Sequence, residues 1–204
     1  MSAHPHKGWH ARGYLPHCDV PGLLQGITFR LHDSVPAPVI AAWKEELGWI
    51  EKREPGKEDA FEQQRNELHR RLAIYEDAGH GACHLRNPEI AAIVAGALRF
   101  FDGDRYSLQA WCIMPNHVHT LIRTHPGWPI GRVLQSWKRH TAREINLILG
   151  TSGTFWAPDY YDRFIRDEEH YWRAVRYIHW NPVKANLCAA PEDWEWSSHR
   201  TADL

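Results

Sequence analysis

A chain of 204 residues is long enough for one sizeable hydrophobic core and short for two, so we expect a single domain. The hydrophobic content of 43% and the eleven tryptophans indicate a folded protein, and no apolar run reaches the roughly 18 residues that span a bilayer. The net charge of -1 excludes a strongly basic surface, although basic residues outnumber acidic ones between positions 123 and 184. Four scattered cysteines and the lack of a signal-peptide pattern favour a reduced, cytoplasmic location.

The first part of the chain predicts an arm, a strand and a charged insertion. Residues 1–22 are rich in His, Gly and Pro without regular spacing, so we expect a solvated arm and no metal tract from its histidines His4, His6, His10 and His17. Gly26–Leu31 alternates and carries β-branched and aromatic residues, which predicts a strand. A short helix over 39–47 follows. Residues 48–80 are highly charged with a thin apolar stripe, which indicates a solvated helical insertion.

In the middle of the chain the sequence predicts a helix between two strands, followed by a hairpin. Residues 82–85 have the composition of a short strand. Asn87-Pro88-Glu89 supplies an N-cap, a proline at the first helical position and an acidic first turn for a helix over 90–101. Strands over 105–114 and 117–123, joined at Pro115-Asn116, should pair antiparallel.

A long helix is predicted over 130–149, with one apolar side and one charged side. Its basic residues outside the apolar stripe are Arg132, Lys138, Arg139 and Arg143, and such a face is ordinarily solvated. The Phe155-Trp156 pair follows in a loop. The sequence leaves open whether these rings pack in the core or are offered to a ligand.

Two histidines, His117 and His119, flank a single valine at the start of the second hairpin strand. Because side chains alternate along a strand, both imidazoles should lie on one face, where they can chelate a metal. The alternative is a half-buried strand whose histidines form hydrogen bonds with backbone or solvent. The His-x-His spacing alone does not decide between them.

A C-terminal helix should begin after Asp167, since acidic residues follow it and apolar residues recur at helical spacing up to Ile178. Pro182 should end it at about Asn181. Tyr177 and Asn181, four residues apart, share a helix face and can offer a phenol and an amide oxygen together. Beyond it we expect an extended tail over 183–204 whose tryptophans, Trp194 and Trp196, pack against the core.

Taken in order, these motifs resemble the HUH-type single-tyrosine transposases, and most closely their REP-associated tyrosine transposase branch. The motifs are Met114-Pro115-Asn116, His117-Val118-His119, Phe155-Trp156, Tyr160-Tyr161-Asp162, Ile165-Arg166-Asp167-Glu168-Glu169 and Tyr177-Ile178-His179-Trp180-Asn181-Pro182-Val183-Lys184. The resemblance implies an α+β, ferredoxin-like sandwich with an antiparallel central sheet. It also implies single-stranded hairpin DNA as substrate and a monomer or homodimer as the working unit.

The resemblance assigns Tyr177 as a nucleophile that forms a 5′-phosphotyrosine, and a divalent metal, Mg²⁺ or Mn²⁺, to His117, His119 and Asn181. Histidine ligation by itself would also admit zinc, and the sequence offers no obvious carboxylate as a further ligand. Tyr160 and Tyr161 are rival nucleophiles, but neither has a carboxamide partner at helical spacing. Beside such a site the DNA-contacting residues are expected to be Arg132, Lys138, Arg139, Arg143 and Trp156.

Two other functions are compatible with the same residues. One is a regulatory DNA-binding protein that keeps the fold without activity, against which the intact histidines, tyrosine and asparagine argue. The other is a metal-dependent hydrolase that uses water as its nucleophile, with Tyr177 as a ligand or a support. A covalent adduct between protein and DNA separates both from a transposase.

Overall fold

The computed structural model describes residues 5–12, 15–50 and 56–199, apart from the side chains of residues 9–16. None of the helices in these ranges is long and apolar enough to cross a membrane. The elements are β1 (Gly8–Arg12), β2 (Leu15–Asp19), β3 (Leu24–Arg30), α1 (Ala37–Glu46), α2 (Glu58–Asp77), α3 (Pro88–Arg99), β4 (Tyr106–Ile113), β5 (His117–Thr124), α4 (Ile130–Leu149), β6 (Tyr161–Phe164) and α5 (Glu168–Lys184).

The central sheet is antiparallel and has the strand order β4-β5-β3-β6. The connection from β3 to β4 contains α1, α2 and then α3, and helix α4 connects β5 to β6. This is the ferredoxin-like arrangement, so the predicted α+β sandwich is confirmed. The second predicted hairpin strand, β5, lies in the interior of the sheet between β4 and β3, where neighbours on both sides fix its side chains.

The period of two along β5 divides the molecule into two layers. Val118 and Ile122 face one way and join the main hydrophobic core with α3 and α4. Leu121 faces the other way and packs with Ile178 of α5. His117 and His119 have the same parity as Leu121, and they therefore lie on the α5 side of the sheet.

The charged insertion contains the predicted helix, but that helix is not solvated. Leu68 and Leu72 of α2 are buried against Val35, Ile40 and Tyr161. Their spacing of four residues gives the helix one apolar edge, and the partners that cover this edge come from distant parts of the chain. The insertion therefore covers part of the α5 side of the sheet, where it contacts β6 and β3.

Other predictions for the first part of the chain are corrected by the structure. The arm contains a β-hairpin, β1 with β2, and His17 within it is fully buried. His4 lies outside the described residues, as does the side chain of His10. Residues 84–86 form a 3₁₀ turn where a short strand was predicted, because the left-handed backbone of Cys83 interrupts an extended course.

The C-terminal elements differ less from prediction. Helix α5 runs through Pro182 to Lys184, three residues beyond the predicted end, because Asn181 and Pro182 are buried and hold the last turn in place. In the tail, Trp194 donates from Nε1 to the Ile113 carbonyl at 3.0 Å, and Trp196 packs on the main core. The prediction that both tryptophans pack against the core is confirmed.

Candidate active site

His117 and His119 are buried on the α5 side of the sheet with their rings at an angle of 84°. Their Nε2 atoms lie 2.9 Å apart. The predicted orientation of both rings toward one side of a central strand is therefore confirmed. Because the strand is paired on both edges, the backbone holds this orientation without a ligand.

A chain of hydrogen bonds determines which nitrogen of His117 carries the proton. Asn116 donates from Nδ2 to the carbonyls of Glu76 and His80, at 3.1 and 2.9 Å, so its Oδ1 is directed toward His117. That oxygen can only accept, and it lies 2.7 Å from His117 Nδ1. His117 Nδ1 therefore carries the proton, and Nε2 presents a lone pair to His119.

His119 has a comparable partner in Thr28, whose Oγ1 lies 2.8 Å from His119 Nδ1. When this hydroxyl accepts a hydrogen bond from Nδ1, His119 Nε2 also presents a lone pair. The lone pairs of the two Nε2 atoms then point toward one position. Burial lowers the pKa of His117 to about 3 and that of His119 well below its ordinary value, so each ring is neutral and carries a single proton at neutral pH. Such a pair of neutral imidazoles suits a metal ion.

Helix α5 brings Tyr177 and Asn181 to the two histidines. Asp167 caps the helix by accepting from the His170 amide at 2.7 Å, and two glutamates follow in its first turn. One face then presents the Tyr177 ring at 5.4 Å from the His119 ring and the Asn181 amide nitrogen at 3.1 Å from His119 Nε2.

Asn181 is fully buried, and its Oδ1 has no hydrogen-bond partner. A half-turn of the amide would bring this oxygen to the position of the nitrogen beside His119. Two donors bound to one Mg²⁺ or Mn²⁺ ion at about 2.1 Å each are at most about 4.2 Å apart, and the separations between neighbouring donors here meet that limit. The three side chains therefore fit a divalent cation.

Burial raises the pKa of Tyr177 to about 12, and its interaction with Asn181 opposes this rise. The phenol is therefore protonated at neutral pH in the free protein. Lys184, about two helical turns further along α5, holds its Nζ 4.7 Å from the centre of the Tyr177 ring. This cation stands where it can favour the phenolate.

Sequence reasoning missed one acidic residue at this site. Asp77, at the end of α2, places Oδ1 3.6 Å from His117 Nε2, and this buried oxygen has no hydrogen-bond partner. The sequence offered no obvious carboxylate as a further ligand, and the fold brings this one beside His117. Across the described residues no group of three or more His, Cys, Asp or Glu side chains has by itself the arrangement of a metal site.

A cavity of about 660 Å³ opens beside these residues, between α2, the sheet and α5. His119, Asp77 and Tyr177 line it. Four arginines line it as well, and they come from three elements and the loop before α5: Arg70, Arg163, Arg166 and Arg173. A groove that joins a phenol to several cations is suited to a polyanion.

Comparisons with known proteins agree with this geometry. Residues 93–181 match the family model described as "Transposase IS200 like", and the match includes both histidines, Tyr177 and Asn181. Over these residues, which are less than half of its length, the chain is similar to the IS200-like transposase family. The predicted assignment to the single-tyrosine transposases is thereby confirmed, and the protein is a transposase.

Solved structures give the fold. A protein described as "Structure of the REP associates tyrosine transposase bound to a REP hairpin" is 18% identical, with a TM-score of 0.56 over 94% of this chain and 82% of that one. A putative transposase from Deinococcus radiodurans R1 is 16% identical over 89% of this chain and 98% of that one. Its TM-score of 0.31 is too low to indicate a shared fold. No curated protein matches the sequence.

The residues predicted to contact DNA lie elsewhere in this transposase. Helix α4 packs on the opposite side of the sheet from His117 and His119. The basic residues of this helix therefore lie on that side as well: Arg132, Lys138, Arg139 and Arg143. Trp156 is 5% exposed and donates from Nε1 to Thr141, so its ring is part of the core. The arginines of the cavity were missed because they belong to separate elements that only the fold brings together.

Proposed function

We propose that this transposase cleaves and rejoins single-stranded DNA beside hairpins of the REP type, through a covalent bond to Tyr177. The observation that carries the proposal is the packing of Tyr177 and Asn181, on one helix face, against two buried histidines whose Nε2 atoms converge. We assign His117, His119 and Asn181 as the residues that hold a divalent metal, Mg²⁺ or Mn²⁺. When bound, this cation would neutralise charge on the phosphate undergoing attack.

The chemistry of the chain itself is an exchange of phosphate esters. The Tyr177 oxygen loses its proton and forms a bond to phosphorus, while the bond from phosphorus to the 3′ oxygen of the preceding nucleotide breaks. The products are a 5′-phosphotyrosine and a free 3′-hydroxyl. Attack by a 3′-hydroxyl on the phosphotyrosine reverses the step and restores the phenol, so joining needs no external energy source.

The substrate is proposed from the shape and charge of the cavity. Tyr177 is half-buried at its wall, and a flexible single strand can follow such a wall more closely than a rigid duplex can. The cavity arginines would contact phosphates along that strand. The solved relative with the same fold is bound to a REP hairpin, which supports a hairpin beside the cleaved strand.

Covalent trapping tests the proposal. Purified protein, Mn²⁺ and a labelled hairpin with a single-stranded flank should yield a species of higher mass on a denaturing gel. Tyr177→Phe removes only the hydroxyl and should abolish this species while hairpin binding persists. Tyr160→Phe, Tyr161→Phe and Tyr171→Phe are matched controls that should form it. Cleavage by the wild type without any adduct would instead favour a hydrolase that uses water.

A further inference from the structure

We propose that Asp77, supplied by the helical insertion, is a further ligand of the cation at His117, His119 and Asn181. This inference rests on the proposed function, since it adds a residue to the same site. It assigns the insertion a part in the chemistry, which its sequence does not indicate.

No local interaction of Asp77 explains its position. It is the last residue of α2, where the negative end of the helix dipole disfavours a carboxylate. Its Oδ1 is buried and accepts no hydrogen bond, although the side chain is 29% exposed overall. A buried carboxylate oxygen without a partner is costly unless a cation is bound beside it.

The end of α2 is fixed to the strand that carries the histidines. Asn116, which determines the protonated nitrogen of His117, does so by donating to the carbonyls of Glu76 and His80 on either side of Asp77. Glu76 is also buried against Arg30, whose Nε lies 3.4 Å from its carboxylate. The backbone at Asp77 is therefore held by the same groups that orient His117.

The charge of the site favours a carboxylate. Two neutral imidazoles and an amide supply no negative charge, whereas Mg²⁺ and Mn²⁺ prefer oxygen ligands and above all carboxylates. Asp77 Oδ1 is 3.6 Å from His117 Nε2, within the limit of about 4.2 Å for two donors to one ion. Among the described residues, Lys184 is the cation whose charge acts on Asp77, and its Nζ lies over the Tyr177 ring.

Binding of Mn²⁺ to the full chain without DNA, measured by the electron paramagnetic resonance signal of free Mn²⁺, tests the assignment. Asp77→Asn should weaken binding at least tenfold. Asp59→Asn, which removes the same charge from the exposed first turn of the same helix, should bind within about twofold of the wild type. His117→Ala should show the largest loss.

A second variant tests direct contact. With Co²⁺, Asp77→Cys should give a sulfur-to-cobalt charge-transfer band, because a thiolate in the ligand position binds the metal itself. Asp59→Cys and the wild type, which retain the natural cysteines, should lack this band. Its absence from Asp77→Cys, together with unchanged Mn²⁺ binding in Asp77→Asn, would overturn the assignment.

The results also separate this inference from the proposed function. If the wild type binds Mn²⁺ and Asp77→Asn binds it equally, Asp77 is no ligand and the proposed function stands. If Asp77→Asn loses the covalent adduct but keeps its Mn²⁺ affinity, Asp77 acts as the proton acceptor of Tyr177 and the ligand assignment is overturned. If the wild type binds no Mn²⁺, the metal site of the proposed function fails as well.

Discussion

Two buried clusters of histidine and acidic residues stand in contrast in this molecule. In the first, His17 lies between Asp162 and Asp159, with its ring nitrogens 2.6 and 3.1 Å from their carboxylates. In the second, His117 and His119 face each other without an ion pair of comparable length. The histidines of both clusters are almost completely inaccessible to solvent, as are Asp159 and Asp162.

The difference lies in hydrogen bonding and charge. Burial lowers the pKa of His17, but the bonds to Asp159 and Asp162 more than offset this and raise it to about 9. Asp162 accepts in addition from the Cys18 amide and from Gln25, so the first cluster is satisfied by protein groups alone. The second cluster contains two buried oxygens without partners, on Asn181 and Asp77. A satisfied cluster stabilises the fold, and an unsatisfied one is suited to a ligand.

Removal of one histidine from each cluster gives the largest expected contrast. His17→Ala leaves Asp159 and Asp162 buried without a cation and should lower the free energy of unfolding by about 3–5 kcal/mol. His117→Ala in metal-free buffer removes no charge and should cost less than half as much. Urea unfolding followed by circular dichroism measures both losses. Equal losses would contradict the distinction between the clusters.

The dependence of stability on pH should come next in size. His17 has a folded pKa of about 9, above its ordinary 6.5, so its contribution is complete below about pH 6.5 and is lost as the pH rises through 9. The loss is on the order of 3 kcal/mol. His117 has the opposite sign, since its folded pKa of about 3 makes stability fall as the pH drops below 6.5.

Urea titrations between pH 4 and pH 10 separate these two limbs. His17→Gln should flatten the alkaline limb and leave the acid limb in place. A wild-type protein whose stability is constant from pH 7 to pH 10 would show that His17 is not held as an imidazolium.

Metal should stabilise the protein through the second cluster only. At a hundredfold excess of Mn²⁺ over its Kd, linkage raises the free energy of unfolding by about 2.7 kcal/mol. His117→Ala should abolish the rise in Tm on addition of Mn²⁺, while His17→Gln should retain it from a lower starting Tm. A Tm response that survives in His117→Ala would place the cation elsewhere.

The smallest expected effect concerns the basic residues near each cluster. Lys138, on the side of the first cluster, donates to the backbone carbonyls of Ala157 and Asp159, whereas Arg163 and Arg173 line the cavity of the second. Arg163→Gln should lower the slope of log binding constant against log salt concentration by about 1, as the loss of one phosphate contact predicts. Arg139→Gln should leave this slope unchanged. A change in salt dependence for Arg139→Gln but not for Arg163→Gln would instead indicate that DNA binds on the α4 face.

The sequence predicted those parts of the site whose geometry is local. A strand places His117 beside His119, and a helix places Tyr177 beside Asn181, whatever the rest of the chain does. Asp77 and the partners of His17 were missed because they depend on long-range contacts: 145 residues separate His17 from Asp162. Spacing carries no information about such pairs, and the charged sequence of α2 did not indicate that its last residue approaches His117.

Direct location of the DNA adduct tests the central claim, that Tyr177 at the second cluster is the nucleophile. Trypsin cleavage after Arg176 and Lys184 releases residues 177–184, in which Tyr177 is the single tyrosine. After reaction with hairpin DNA and nuclease digestion, mass spectrometry should find a nucleotide phosphate on this peptide. A nucleotide on the peptide of Tyr160 and Tyr161, residues 144–163, or on that of Tyr171, residues 167–173, would contradict the account.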